Sequence, residues 1–122
     1  CKPDRATLCI SGPPVLLQRA ADNRQTGKLG AAVVSCRRGG TSVAFDRLNK
    51  YFTIYNMTVV GSQHWNQVHG LAPKDVREDE EGLQTMRTLA QNIAWLLKNR
   101  DAGKAQGISA PVYEARINTN FI

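Results

Sequence analysis

The chain has 122 residues, 42% of them apolar, and a formal net charge of +6 from 16 Lys and Arg against 10 Asp and Glu. This length suits one small domain, and the apolar fraction is typical of a globular protein. No segment is long and apolar enough to span a membrane, and no signal-peptide pattern is present. The three cysteines, Cys1, Cys9 and Cys36, are odd in number and form no Cys-x-x-Cys pair. That usage argues against a disulfide framework and for a reducing, cytoplasmic setting. Because no segment could span a membrane, we also expect no membrane partner.

The positive charge is unevenly distributed along the chain. Residues 1–50 hold nine Lys and Arg against three acids, whereas residues 51–122 hold seven of each. A basic half can attract nucleic acid or phosphorylated ligands. Because the arginines are scattered and are not interleaved with aromatic residues, we favour a solvated surface and expect no nucleic-acid partner.

The first segments alternate between strand and helix signals. Ala6–Ser11 predicts a buried strand, which Gly12-Pro13-Pro14 interrupts. Val15–Ala21 has helical composition, and residues 22–27 read as a loop. The apolar run Leu29–Val34 then predicts a parallel strand that is covered on both faces.

A glycine-rich turn with two arginines, Cys36-Arg37-Arg38-Gly39-Gly40, follows that strand. We expect Thr41 or Ser42 to cap the next helix and Asp46 to lie in its first turn. A helix that begins just beyond a strand directs free N–H groups into a crevice, where the two arginines add full charges. The pattern therefore predicts an anion or cofactor site at the carboxyl edge of the sheet. Many α/β proteins have such a turn without any ligand, and neither a dinucleotide fingerprint nor a P-loop is present.

The helix after the turn is expected from about Ser42 to Tyr55, with Asn56 as its stop. Its core-facing positions are Ala44, Leu48, Tyr51, Phe52 and Tyr55. Met57–Gly61 reads as a third short strand, so strands joined by helices predict a parallel sheet.

Ser62–Gly70 is predicted to be a loop at the same carboxyl edge, rich in side chains that contact ligands. Its two histidines, His64 and His69, lie five residues apart without a nearby cysteine or carboxylate, so we expect no metal site. Trp65 could cover a flat aromatic ligand or seal a subunit contact.

The last third of the chain predicts one long helix and a tail. Pro73 suits a first helical position, and the acidic run Asp75–Glu81 reads as a solvated face near a helix N-terminus. Trp95 and Leu96 lie off the apolar stripe and predict a second buried face, against another subunit. Gly103 and Gly107 are expected to end the helix, and residues 108–122 to form an extended tail. The predicted core-facing stripe consists of Leu83, Met86, Ala90, Ile93, Ala94 and Leu97.

From Gly27 onward the chain resembles the C-terminal part of the NAD(P)H-dependent FMN reductases, the flavodoxin-like family related to iron–sulfur flavoproteins. Roughly four fifths of the chain takes part, and the segments are specific in combination. They are Gly27-Lys-Leu-Gly-Ala-Ala-Val-Val-Ser-Cys-Arg-Arg-Gly-Gly-Thr41, Phe45-Asp-Arg-Leu-Asn-Lys-Tyr-Phe52, Ser62-Gln-His-Trp-Asn-Gln-Val-His-Gly70, Gly82-Leu-Gln-Thr-Met-Arg-Thr-Leu89 and Thr119-Asn-Phe-Ile122.

The resemblance implies an α/β fold with a parallel sheet in the order 2-1-3-4-5 and helices on both faces. In that arrangement Ala6–Ser11 resembles the third strand, Leu29–Val34 the fourth and Met57–Gly61 the fifth. Residues 1–122 would then be a single, N-terminally incomplete domain that holds only the 3-4-5 half of the sheet.

The resemblance also implies a cofactor and an activity. FMN would be bound by Ser35, Cys36, Arg37, Arg38, Gly39, Gly40 and Thr41, with Ser11 and Pro13 from the preceding strand end. Trp65 and His69 are expected as further ligand or subunit contacts. NADPH or NADH would supply hydride, and a small-molecule acceptor would take the electrons. No catalytic side chain is required, and the protein would be a homo-oligomer, a dimer or a tetramer.

Two departures from the family pattern leave other functions open. The first strand and its phosphate loop are absent, and the turn Ser11-Gly12-Pro13-Pro14 lacks the usual tyrosine. One alternative is a non-catalytic assembly or anion-binding module without tight FMN binding. A nucleic-acid binder is supported only by the charge, and its binding would fall steeply with salt.

Overall fold

The structure, a computed structural model, describes residues 25–115 together with Ile117 and Thr119. The predicted strand Ala6–Ser11 and the predicted helix Val15–Ala21 lie outside these residues. The described strands and helices are β1 (Leu29–Gly30), β2 (Val34–Cys36), α1 (Thr41–Ile54), β3 (Thr58–Val59), β4 (Gln67–His69), α2 (Pro73–Glu78) and α3 (Glu80–Ala105).

The strands pair in parallel, as predicted, but as two short pairs. In the first, β1 pairs with β3 and Leu29 lies opposite Thr58. In the second, β2 pairs with β4 and Val34 lies opposite Gln67. The expected continuous strand Leu29–Val34 is therefore interrupted, and its second part extends to Cys36.

The prediction of one loop over Ser62–Gly70 is wrong, because this segment contains β4. The Val34 N–H donates to the Asn66 carbonyl at 3.0 Å, which starts the pairing with β2. Within β4, Val68 is buried while His69 is exposed. Alternation of buried and exposed residues is typical of a strand with one packed face. A strand of three residues is too short for this alternation to be recognised in the sequence.

Helices α1 and α3 cover opposite faces of the strands. One core cluster joins Leu29 and Val60 to Leu89 of α3. The other joins Ala32 and Met57 to Phe52 of α1. Successive strand residues point to opposite faces, so a helix on each side buries both sets. The described residues thus form part of a flavodoxin-like α/β fold with three layers.

The N-terminus of α1 is built differently from the expectation. Gly40 is the N-cap residue, no side chain caps the helix, and its first turn contains no acid. The predicted caps Thr41 and Ser42 lie inside the helix, and Asp46 lies beyond the first turn. Glycine occupies the cap because its φ of 89° is a left-handed conformation that a side chain would strain.

Both long helices end on left-handed residues. Asn56, with φ of 54°, follows α1 as predicted, and Met57 N–H donates back to Phe52 at 3.0 Å. Gly107, with φ of 82°, lies two residues after the last residue of α3, and Ile108 N–H donates to the Gly103 carbonyl at 2.9 Å. These are Schellman arrangements. Gly103 therefore lies within the helix and does not end it.

The predicted core-facing stripe of α3 is confirmed in part, because Ile93 and Leu97 pack against the core cluster. Gly82, Thr85 and Leu89 are buried, whereas the predicted Ala90 and Ala94 are exposed. A Cβ at Gly82 would lie 2.9 Å from Val68 Cγ1, so this glycine allows α3 to approach β4 closely. Trp95 is exposed, while Leu96 packs against the core of this same chain. The described part of the tail, from residue 108, contains neither helix nor strand.

None of the described helices combines the length and the apolarity needed to cross a bilayer.

Gly30 provides a test of the packing between β1 and α1. A Cβ at this position would lie 2.9 Å from Phe52 Cδ1 and 3.1 Å from Met57 Cε, both side chains being buried. We expect Gly30→Ala to lower the free energy of unfolding in urea by about 1–3 kcal/mol, since the core must move to admit the methyl group.

The matched control is Gly39→Ala, where a Cβ would meet nothing within 4 Å. It should change the free energy of unfolding by less than about 1 kcal/mol. Equal effects of the two substitutions would contradict the packing described here.

Candidate functional site

Strands β2 and β4 end side by side and define the carboxyl edge of the second strand pair. Cys36 and His69, their last residues, are register partners. Gly70 N–H then donates to the Cys36 carbonyl at 3.0 Å, which extends the pairing by one bond. Adjacent strands are about 4.8 Å apart, so the start of the turn after β2 lies near the end of β4.

The turn from Arg37 to Gly40 leads from β2 into α1 and is exposed throughout. A Cβ at Gly39 or Gly40 would meet no atom within 4 Å, so the space beside the turn is open. Thr41, at the start of the helix, is buried, and its hydroxyl lies 4.0 Å from the Cys36 thiol. The turn is thus open to solvent, while the residues on either side of it, Cys36 in β2 and the buried Thr41 in α1, are held by the fold.

Positive charge and free N–H groups collect at this turn. The first turn of α1 has neither a side-chain cap nor an acid, so its N–H groups remain available. Arg37 and Arg38 are both exposed, and within the described part of the chain neither forms an ion pair or a side-chain hydrogen bond. The turn can therefore stabilise negative charge on a bound group.

On the β4 side of the edge, Asp79 holds the end of the strand. Its Oδ2 accepts the His69 backbone N–H at 2.6 Å, and its Oδ1 accepts the Gly82 N–H at 2.9 Å. The His69 Nδ1 lies 3.7 Å from the same Oδ2, within ion-pair distance. Asp79 therefore joins the strand end to the first turn of α3 and sits beside a half-exposed imidazole.

These hydrogen bonds lower the pKa of the Asp79 carboxyl. The largest cause is the bond from Gly82 N–H, followed by the bond from His69 N–H, and the neighbouring imidazole adds to both. Burial opposes the shift without reversing it. Hydrogen bonds to a carboxylate favour its charged form, so Asp79 is held as an anion.

Two glycines make this junction possible. A Cβ at Gly82 would overlap the Asp79 carboxylate and lie 2.9 Å from Val68 Cγ1. A Cβ at Gly70 would lie 2.7 Å from the backbone nitrogen of Val76. Side chains at either position would push α2 or α3 away from the end of β4.

The acidic run is only in part the solvated face that the sequence predicts. Glu78, Glu80 and Glu81 are exposed. Asp75, however, accepts the N–H groups of Leu71 and Ala72 at 3.1 and 2.9 Å, which fixes the start of α2. Asp79 is likewise committed to the backbone. Short acid side chains reach these N–H groups, so two of the five acids are structural.

The loop that carries Trp65 follows the carboxyl end of β3, as predicted, but it precedes β4 and therefore lies at the opposite end of β4 from His69. Gln63 accepts a hydrogen bond from Thr88 at 3.0 Å, and Asn92 donates to the Gly61 carbonyl at 2.9 Å, so α3 holds this loop. Trp65 is 54% exposed and meets the His64 ring edge to face. Strand β4 separates Trp65 from His69.

The structure brings most of the predicted site residues together. Ser35 and Cys36 end β2, the turn carries both arginines and both glycines, Thr41 begins α1, and His69 lies across from Cys36. Ser11 and Pro13 lie outside the described residues. Asp79 was not predicted as a site residue. A sequence signal for it exists, because an acid just before a helical apolar pattern is typical of a helix N-cap.

Among the described side chains, no three His, Cys, Asp or Glu residues cluster as metal ligands would.

Comparison with known proteins finds one curated relative of interest. The chain is 33% identical over 78 residues to an iron–sulfur flavoprotein of Methanocaldococcus jannaschii. The match covers 58% of this chain and 40% of that protein, so this chain spans less than half of the relative's length. No family model matches the chain, and no solved structure matches it.

Asp79→Ala tests the junction between β4 and α3. The substitution removes the acceptor of two N–H groups, and we expect the free energy of unfolding at pH 7 to fall by about 1–2 kcal/mol. Asp101→Ala, at an exposed position on the same helix, is the control and should change it by at most about 0.5 kcal/mol.

The same pair of proteins tests the lowered pKa of Asp79. A carboxyl whose pKa is lower in the folded state stabilises the fold above its unfolded value of about 3.9, and this contribution disappears as the pH falls through the folded value. The stability difference between wild type and Asp79→Ala should therefore shrink between about pH 5 and pH 2. A difference that is independent of pH would contradict the lowered pKa.

Proposed function

We propose that this chain is part of an FMN-dependent oxidoreductase that takes hydride from NADPH or NADH and passes electrons to a small-molecule acceptor. The observation that carries the proposal is the open, positively charged turn at the carboxyl edge of a flavodoxin-like fold. The similarity to a protein named as a flavoprotein supports a flavin-related redox function. Ligands of open α/β sheets bind at this edge.

The residues at the turn fit one side of a flavin. A Cβ at Gly39 or Gly40 would meet nothing within 4 Å, which is consistent with a flat ring approaching the backbone here. Arg37, Arg38 and the uncapped start of α1 offer positive charge and N–H donors. Reduced flavin gathers negative charge at its N1 and C2 carbonyl, which these groups would stabilise.

When bound, FMN would supply the hydride and electron chemistry itself. The protein's task is then to bind the ring, to orient it and to set the charge around it. Donors that stabilise the reduced anion more than the oxidised ring raise the reduction potential and favour hydride acceptance. Ser35, Cys36 and Thr41 would line the ring, and Ser11 and Pro13 would contact it from the preceding strand end.

We also propose that the protein works in the cytoplasm as a homo-oligomer, a dimer or a tetramer. Trp65 and Trp95 support this because both are large, apolar and more than half exposed. Their burial against a second copy would remove apolar surface from water. Cys36 carries a free thiol, in keeping with a reducing compartment.

Arg37→Gln and Arg38→Gln test the proposed role of the turn. An arginine that contacts the flavin contributes a charge-assisted hydrogen bond, so its loss should weaken FMN binding about 10-fold or more. It should also lower the two-electron reduction potential of the bound flavin by about 30 mV. That shift corresponds to a tenfold change in the ratio of the affinities for reduced and oxidised FMN. Fluorescence titration and dye-coupled potentiometry give the two values.

Arg47→Gln is the control, since Arg47 is exposed further along α1 and has the same charge. It should leave both quantities unchanged. The proposed role of the turn is contradicted when both turn variants keep the affinity and the potential of the wild type.

A further inference from the structure

Helix α3 has two faces of different character. One face packs against the core through Leu89, Ile93 and Leu97. On the opposite face, exposed residues recur every three or four positions along nearly the whole helix, so they form one straight stripe. This outer stripe of α3 consists of Glu80, Gln84, Arg87, Gln91, Trp95, Lys98 and Ala102. At 1.5 Å per residue it is about 33 Å long.

The outer stripe continues onto the loop before β4. Thr88 and Asn92 of α3 hold this loop by hydrogen bonds of 3.0 and 2.9 Å. Thr88, Asn92 and Trp95 follow one another at spacings of four and three positions, so they lie on the same side of the helix. The loop carries Trp65. The outer stripe and the loop therefore form one continuous surface with two tryptophans.

Both tryptophans of this surface are left in water by the rest of the chain. Trp65 is 54% exposed and Trp95 is 64% exposed. Tryptophan is enriched among the residues that contribute most to binding at protein interfaces, because its large ring buries much apolar area. Two such rings on one surface indicate a protein partner.

The charges of the outer stripe favour a second copy of this chain in one orientation. In a parallel pair, Glu80, Arg87 and Lys98 would each face the same residue of the other copy, and like charges repel. In an antiparallel pair with the two-fold axis at Gln91, Arg87 faces Trp95 of the second copy, since both are four positions from the axis. The acidic start of each stripe then lies beside the basic end of the other.

We propose that two copies of this chain pair through the outer stripe of α3, with the two helices antiparallel and the two-fold axis at Gln91. The inference rests on the homo-oligomer of the proposed function and assigns its interface. Each Arg87 guanidinium lies against the indole of Trp95 of the other copy, a cation–π contact. Because a two-fold interface uses the same patch on both copies, this contact is made twice.

The length of the outer stripe limits the strength of the pairing. A helix is about 10–12 Å wide with its side chains, so the stripe covers about 300–400 Å² on each copy. The loop with Trp65 adds to this area. The total is at the lower end of the range for specific interfaces, which is about 1,200 Å² for both partners together. We therefore expect a reversible dimer with a Kd on the order of micromolar.

Sedimentation velocity over a concentration series measures this Kd in the purified chain. Trp95→Ala should raise it about 10-fold or more, and Arg87→Gln about 5-fold or more, because the cation–π contact is lost twice. Ile54→Ala is the control, since Ile54 is 52% exposed but lies on α1, which covers the other face of the strands. It should leave the Kd unchanged.

Circular dichroism of each variant checks that the fold is retained, as expected for substitutions at exposed positions. A wild type that stays monomeric up to about 1 mM, a thousand times the expected Kd, overturns the proposal. So does a Kd that is equal in wild type and folded Trp95→Ala.

Cysteine cross-linking with a short bismaleimide tests the antiparallel orientation. Gln91→Cys lies on the proposed axis and should link to the same position of the second copy. Gln84→Cys and Lys98→Cys are each seven positions from the axis, so they should link to each other when the two variants are mixed and link far less to themselves. Mass spectrometry of the linked peptides separates these products from links through the native cysteines.

Equal self-linking at positions 84, 91 and 98 indicates a parallel pair and overturns the proposal, as does the absence of links at all three. Flavin binding is a separate result. A monomeric chain that binds FMN and is bleached by NADPH overturns the pairing and leaves the proposed redox function. A chain that pairs as described but does not change the FMN spectrum overturns the redox function and leaves the pairing.

Discussion

The pairing of β2 with β4 is the contact on which the rest of the site depends. Three residues on each strand place Cys36 opposite His69, and the bond from Gly70 N–H to Cys36 closes the edge. Without this pairing, the arginine turn and the imidazole would belong to unrelated loops. Buried Val68, packed close to Gly82, secures β4 from the α3 side. A short ladder thus assembles groups that lie more than thirty residues apart in the chain.

The two sides of the carboxyl edge carry opposite charges, positive at the turn and negative at Asp79. At the turn, Arg37 and Arg38 are unpaired among the described residues, and α1 begins without a cap, so negative charge from a ligand would be stabilised there. At the end of β4, the charge of Asp79 is satisfied by backbone N–H groups and is held rigidly. The first side can stabilise an anion, and the second fixes the end of β4 to the start of α3.

Much of the fold follows from sequence, and the exceptions have physical causes. The packed positions Leu48, Phe52 and Tyr55 of α1 and its stop at Asn56 follow local signals, so they could be predicted, whereas the predicted Ala44 is exposed. The break within Leu29–Cys36 and the existence of β4 depend on pairing between distant segments, which a single sequence does not show. Asp79 was missed because an acid in a charged run looks solvated until its N–H donors are known. The binding role of the turn stays a prediction.

The most direct test of the central claim is the visible absorption spectrum of the purified chain, before and after addition of FMN and then of NADPH without oxygen. We expect a flavin band whose shape changes as FMN moves from water to the protein, and which bleaches when NADPH is added. An FMN spectrum that is the same with and without the protein, and that does not bleach with NADPH, would contradict it. The chain would then be a flavodoxin-like module without a working flavin site.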